Sequence, residues 1–82
     1  MRDAELARII NGPRTAELLL TWENGSRLRL HQEVLAIRIV GIGLLAVRPI
    51  DGNPLHVRWS RMIWPSLVRS AELVGPEADE VG

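Results

Sequence analysis

Cysteine, lysine, phenylalanine and tyrosine are all absent from this 82-residue chain. Without cysteine there is no disulfide framework and no thiolate metal site. Charge of one sign is missing too: ten acidic side chains balance ten basic ones, a formal net charge of +0. Bulk electrostatics therefore give no pull toward nucleic acid or membrane, and any basic surface has to be local. Long hydrophobic runs are also lacking. The most apolar window, Val34 to Val47, is interrupted by Arg38 and two glycines and falls short of the ~20 residues of a membrane-spanning helix. It reads as buried strand. No N-terminal stretch joins positive charge to a long apolar run, so the expected location is cytoplasmic, with no membrane partner.

What is present fits a single globular domain: the length leaves no room for a second one, and the composition is too apolar for a disordered chain. A core of this size leaves only ~3–5 kcal/mol of net stability when neither disulfide nor metal supplements it. Self-association is therefore an expected route to further burial. All ten cations are arginine. That usage follows either from a GC-rich coding sequence or from a need for planar, bidentate contacts to phosphate or carboxylate.

Periodicity divides the chain into a helix at 3–11, a β-rich body at 15–74 and an acidic flexible tail at 75–82. Asp3 is the candidate N-cap of the helix, with Leu6, Ile9 and Ile10 as its apolar stripe; Gly12, in a left-handed cap, and Pro13 end it. From Ala16 the period becomes two. A three-residue loop, Glu23-Asn24-Gly25, with Gly25 in the left-handed region, pairs Trp22 with Ser26, Leu20 with Leu28 and Leu18 with Leu30. The leucines then share one face. Glu17, Thr21, Arg27 and His31 fall on a solvent side. The same arithmetic at Ile50-Asp51-Gly52 pairs Pro49 with Asn53, Val47 with Leu55 and Leu45 with Val57. Between the hairpins, Val34 to Val40 is a strand, followed by a tight turn or bend at Gly41-Ile42-Gly43. Ser60 to Trp64 is expected as a short 3₁₀ turn broken by Pro65. Leu67 to Val74 reads as a strand that buries Leu67, Ala71 and Leu73, with a helix through Leu67, Ala71 and Val74 as the alternative. About five short, bent strands after a helix suit a small barrel, which hides its edges.

Gly43-Leu44-Leu45-Ala46-Val47-Arg48 and Val57-Arg58-Trp59-Ser60-Arg61-Met62 resemble the pattern of small Sm-like and SH3-like barrels. In that pattern a strand, a glycine turn and a second strand end in a segment of the form aromatic-Arg-Leu-Asp-Arg-Ile. The WYL domains of bacterial regulators and the Rof family of Rho inhibitors are similar. The likeness covers residues 43 to 63, with Val57 where the WYL pattern has Phe and Ser60 where it has Asp. It implies barrel architecture and a regulatory setting.

No constellation for catalysis is present. His31 and His56 lack the companions of a metal site, and no serine lies in a nucleophile elbow. Asn24-Gly25 and Asp51-Gly52 are turn chemistry and not phosphate loops. The expectation is a non-catalytic regulatory or adaptor module without cofactor or metal, acting through a protein partner or a second copy of itself, with Arg58, Arg61 and Trp64 as the contact patch. Trp22 and Trp59 are expected in the core and Trp64 at the surface. The alternative is a single-stranded RNA- or DNA-binding barrel whose Arg27, Arg29, Arg48 and Arg58 contact nucleic acid, with His31, His56 and Arg61 extending the basic face.

Overall fold

The structure, a computed structural model, describes residues 1–75. The expected acidic tail, with Pro76, Glu77, Asp79 and Glu80, lies outside them. The chain is mainly β, with one short helix and two three-stranded sheets. Helix α1 spans Asp3–Asn11, and the strands are β1 (Glu17–Trp22), β2 (Arg27–Leu30), β3 (Leu35–Ile39), β4 (Gly43–Pro49), β5 (Val57–Ile63) and β6 (Val68–Val74). A 3₁₀ turn, Pro65–Leu67, links the last two. The described residues thus hold six strands where about five were expected. The first sheet runs β2-β1-β6 and the second β3-β4-β5. Among the described residues no helix is long and apolar enough to cross a membrane.

Helix α1 begins one residue earlier than a side-chain cap would place it. Its N-cap is Arg2, which makes no capping bond, and Asp3 sits inside the first turn with Glu5, where both favour the helix dipole. Gly12 is not left-handed: its φ is −65° and its N–H closes the last turn onto the Arg8 carbonyl. Glycine serves there for space, since a Cβ would come within 3.1 Å of that carbonyl. The buried face of the helix, Leu6, Ala7 and Ile10, joins the core.

The helix also closes an edge. Asn11 Nδ2 donates to the Ala36 carbonyl at 3.0 Å and its Oδ1 accepts the Ala36 N–H at 2.7 Å, so one side chain pairs with β3 as a neighbouring strand would. Replacing Asn11 by Ala leaves both Ala36 groups unpaired where they are partly buried. The expected loss is about 1–3 kcal/mol in urea unfolding, with the Ala36 amide becoming the most accelerated in hydrogen exchange.

The first hairpin follows its sequence closely. Leu18 pairs with Leu30 and Leu20 with Leu28, and the Trp22 N–H bonds to the Ser26 carbonyl at 2.8 Å. Gly25 has φ +89°, and Asn24 Oδ1 accepts both the N–H and the hydroxyl of Ser26. Thr21, expected on the solvent side, is buried, because β1 is the central strand and β6 sets Ser70 against its other edge.

The second hairpin departs from expectation. Val47 pairs with Ser60 and Leu45 with Met62, and the connection is a seven-residue loop over residues 50–56. Local side-chain acceptors explain its length: Asp51 Oδ1 takes the Asn53 N–H, Asn53 Oδ1 takes the Leu55 N–H, and Pro54 has no N–H to offer a ladder. The strand resumes only at Val57, so Leu55 is left 85% exposed. Moving Val47 from Leu55 to Ser60 is a shift of an odd number of positions, which turns the side chains of β5 from Trp59 onward to the other face, while the irregularity leaves Val57 opposite Pro49.

Between the hairpins, Gly41 (φ +78°) forms a tight turn in which the Ile42 N–H bonds to the Ile39 carbonyl. The expected 3₁₀ segment at Ser60 to Trp64 is instead strand as far as Ile63, since Ala46 and Leu44 of β4 remain available to pair with Arg61 and Ile63. Pro65 opens the 3₁₀ turn where a missing N–H costs nothing. In β6 the residue sealed in the core is Val68, whereas Leu67 and Leu73 are exposed. A register irregularity between Thr21 and Trp22, which sets Trp22 opposite Val68, shifts the alternation there.

Leu18, Leu20 and Leu30 of the first sheet, Ala36, Leu44, Ala46 and Ile63 of the second, and the helix residues form one core cluster, which Val34 and Val68 complete. Arg14 ties its corner. Its guanidinium donates to the carbonyls of Ile10, Ala16 and Val34, each at 3.0 Å, and more distantly to that of His31 at 3.5 Å. Desolvation at this partly buried position lowers its pKa from the ordinary value.

Candidate functional site: a basic groove and an apolar sheet face

The bend between β2 and β3 and the register of β4 with β5 create a groove of about 360 Å³. It is lined by Arg29, His31, Val34, Arg48, Arg58 and Trp59. Arg48 and Trp59 are direct cross-strand partners. Arg58 is the extra residue at the irregularity where β5 starts, since Arg48 pairs with Trp59 and Pro49 with Val57. Two carboxylates neutralise part of the charge. Arg29 meets Glu17 at 2.9 Å and the Gly75 carbonyl at 2.7 Å, and Arg48 meets Glu33 through Nε at 3.3 Å. Arg58 has no ion-pair or hydrogen-bond partner among the described residues. The Nδ1 of His31 accepts the Glu33 N–H at 3.0 Å, which leaves the ring's own N–H on Nε2.

Three of the four arginines expected to contact nucleic acid, Arg29, Arg48 and Arg58, thus come together. Arg27 stays outside, exposed opposite Thr21. The expected protein-contact residues are strung along β5 and the residue that follows it: Arg58 and Trp64 are separated by six positions, about 20 Å at ~3.3 Å per residue. Arg61 lies between them with its guanidinium 5.7 Å from the centroid of the Trp22 ring, an intramolecular cation–π contact. Trp64 is 49% exposed. Trp22 and Trp59 are only partly buried, each packed against the core from its edge.

His56 belongs to the loop. Its Nδ1 lies 3.0 Å from Asp51 Oδ2, and this contact, followed by the Asn53 N–H, holds the Asp51 carboxyl below the usual carboxylate range. A depressed acid stabilises the folded loop at pH values above its unfolded pKa and ceases to do so as pH falls through the folded one. Carbon-detected NMR is therefore expected to place the Asp51 midpoint below ~3.9, with the Asn53 and Leu55 amides shifting in the same acid range. Asp51→Asn is expected to abolish that transition.

A second feature lies on the opposite side of the β3-β4-β5 sheet. Residues that pair across strands share a face, which groups Leu35 with Val47 and Ser60, Ile37 with Leu45 and Met62, and Ile39 with Gly43. The aliphatic side chains of this set stand outside the core cluster. Leu35 and Ile37 on the outer strand are each 38% exposed, Ile39, Leu45 and Met62 are half-buried, and Val47 on the central strand is buried. Among the described residues, this paired set contains no ionisable side chain, and Ser60 is its one polar side chain. The first sheet is different: its outer side carries Glu17, Arg27, Arg29 and Glu72, an ordinary solvated surface.

The chain matches no protein-family model, curated protein or solved structure.

Proposed function

We propose that the protein is a small, non-catalytic regulatory or adaptor module that acts by self-association, two copies joining through the outer faces of their β3-β4-β5 sheets. The observation behind this reading is the apolar, charge-free face built by Leu35, Ile37, Ile39, Leu45, Val47 and Met62. Strands that are apolar on both sides belong to sheets covered on both sides. Here α1 and the first sheet account for the inner side only. A contiguous apolar face that is left partly exposed, as this one is at Leu35 and Ile37, marks an interaction surface. A charged or strongly polar partner would find nothing to pair with on this one, whereas a second copy presents the same uncharged, identically twisted surface. Face-to-face packing about a two-fold axis is the standard geometry for such a pair. Burial on assembly adds the apolar area that a core of this size lacks.

Trp64 serves as a rim residue in this reading. Its ring edge is 3.7 Å from where a Cβ of Gly43 would stand, at the end of the face. At fold level the reading retains the Sm-like or SH3-like barrel, supported by the return of β6 to pair with β1, which brings the first and last strands side by side.

The test is Ile37→Glu, a half-exposed position where a carboxylate is tolerated in a monomer but not in a dry interface. The wild-type melting temperature is expected to rise with protein concentration. The variant should keep its circular dichroism spectrum and lose that dependence. Melting that is independent of concentration in both proteins would contradict the reading.

A further inference from the structure

We propose that the groove lined by Arg29, His31, Arg48, Arg58 and Trp59 is a binding site for a phosphate-bearing ligand with a planar ring, of mononucleotide size. This is a separate site from the self-association face and does not depend on it. The donors converge from three strand segments: Arg29 from β2, Arg48 from β4 and Arg58 from the start of β5. Guanidinium groups present fixed pairs of N–H donors that match the oxygens of a phosphate. Glu17 and Glu33 offset two of the three charges and hold Arg29 and Arg48 in place. The contact of Arg48 with Glu33 runs through Nε, which leaves its two terminal nitrogens for a ligand. Arg58 supplies a charge with no carboxylate partner among the described residues. A phosphate bound here balances it.

The aromatic half of the site is Trp59. It is directly opposite Arg48 on the neighbouring strand and is held from behind by the core, so its ring is a fixed platform beside the cationic cluster. Stacking of a planar ring on such a platform is insensitive to which base is present. His31 contributes a donor through Nε2, since Nδ1 is occupied by the Glu33 N–H. The volume, about 360 Å³, lies at the lower end of the range for small-molecule pockets. It suits one nucleotide unit, either free or at the end of a single strand.

The two sources are separated by titrating the full chain, at low ionic strength, with inorganic phosphate, a nucleoside, a nucleoside monophosphate and a short single-stranded oligonucleotide. Binding is read by calorimetry and by quenching of tryptophan fluorescence. The monophosphate should bind more tightly than either phosphate or nucleoside, and its affinity should fall as salt rises. Comparable affinity for monophosphate and oligonucleotide identifies a free ligand; markedly tighter oligonucleotide binding identifies a strand end. Arg58→Ala, at an exposed position with no partner to lose among the described residues, is expected to weaken monophosphate binding at least tenfold without changing the melting temperature. Trp59→Leu should reduce the monophosphate to the affinity of phosphate alone. Absence of binding by every probe, or binding that Arg58→Ala leaves unchanged, would overturn the proposal.

Discussion

Replacing Arg14 by Met is expected to remove half or more of the stability of the fold. The substitution keeps an unbranched apolar stem and deletes the guanidinium that donates to the carbonyls of Ile10, Ala16, Val34 and His31. Those carbonyls belong to the end of α1, the approach to β1 and the bend between β2 and β3, so one guanidinium ties the turn after the helix to a bend 17 to 20 residues further along the chain. Hydrogen bonds from a charged donor contribute about 1.5–3 kcal/mol each when made, less where water competes. The site is only partly buried, and the His31 carbonyl keeps the Val34 N–H at 3.0 Å as a second donor. The net expectation is a loss of about 2–3 kcal/mol, a fall in melting temperature of roughly 10–20 °C for a domain of this size. Arg14→Lys is expected to restore less than half, because an ammonium cannot span carbonyls that a planar fork reaches together. Urea unfolding of the three proteins measures this directly, and equal stabilities would show that the carbonyls are satisfied without Arg14.

The second large effect is expected at Gly43. Its φ is +153° and a Cβ there would stand 2.7 Å from the Ile63 carbonyl oxygen. The obstacle is backbone of β5, fixed by the adjacent pairing of Leu44 with Ile63, so it cannot swing aside as a flexible side chain would. Gly43→Ala should therefore cost about 2–3 kcal/mol through displacement of β5 from β4. Gly52 provides the comparison. It has φ +84° but open space around it, so Gly52→Ala meets only the conformational cost of about 1–2 kcal/mol. Gly43→Ala should lower the urea midpoint more than Gly52→Ala does, and the reverse order would contradict the packing explanation.

These two residues mark the limit of what the sequence makes legible. The first hairpin could be read with its register, because Asn24, Gly25 and Ser26 settle the turn among themselves and the leucines admit one facing. The second could not. Asp51 and Asn53 accept backbone N–H groups within the loop, and Pro54 withholds one, so a turn that looks local at Gly52 opens to seven residues. That error in register concealed the groove, since it separated Arg48 from Trp59, which the true register places directly opposite each other. Asp51, Asn53 and Pro54 together were the available signal. Arg14 left no signal, because carbonyls recruited from three segments produce no spacing pattern. The apolar run at Val34 to Val47 was legible as strand, but periodicity could not tell that the core cluster would take Val34, Ala36, Leu44 and Ala46 and leave Leu35, Ile37 and Leu45 on the other face.

The outward-facing half of that run is the surface through which two copies are proposed to join. Sedimentation equilibrium of the wild-type chain, from micromolar to millimolar concentration, tests it most directly. The wild-type mass is expected to rise toward twice the chain's 9.2 kDa with increasing concentration, and to stay at the single-chain value throughout for Ile37→Glu. A wild-type mass of one chain at every concentration would contradict it.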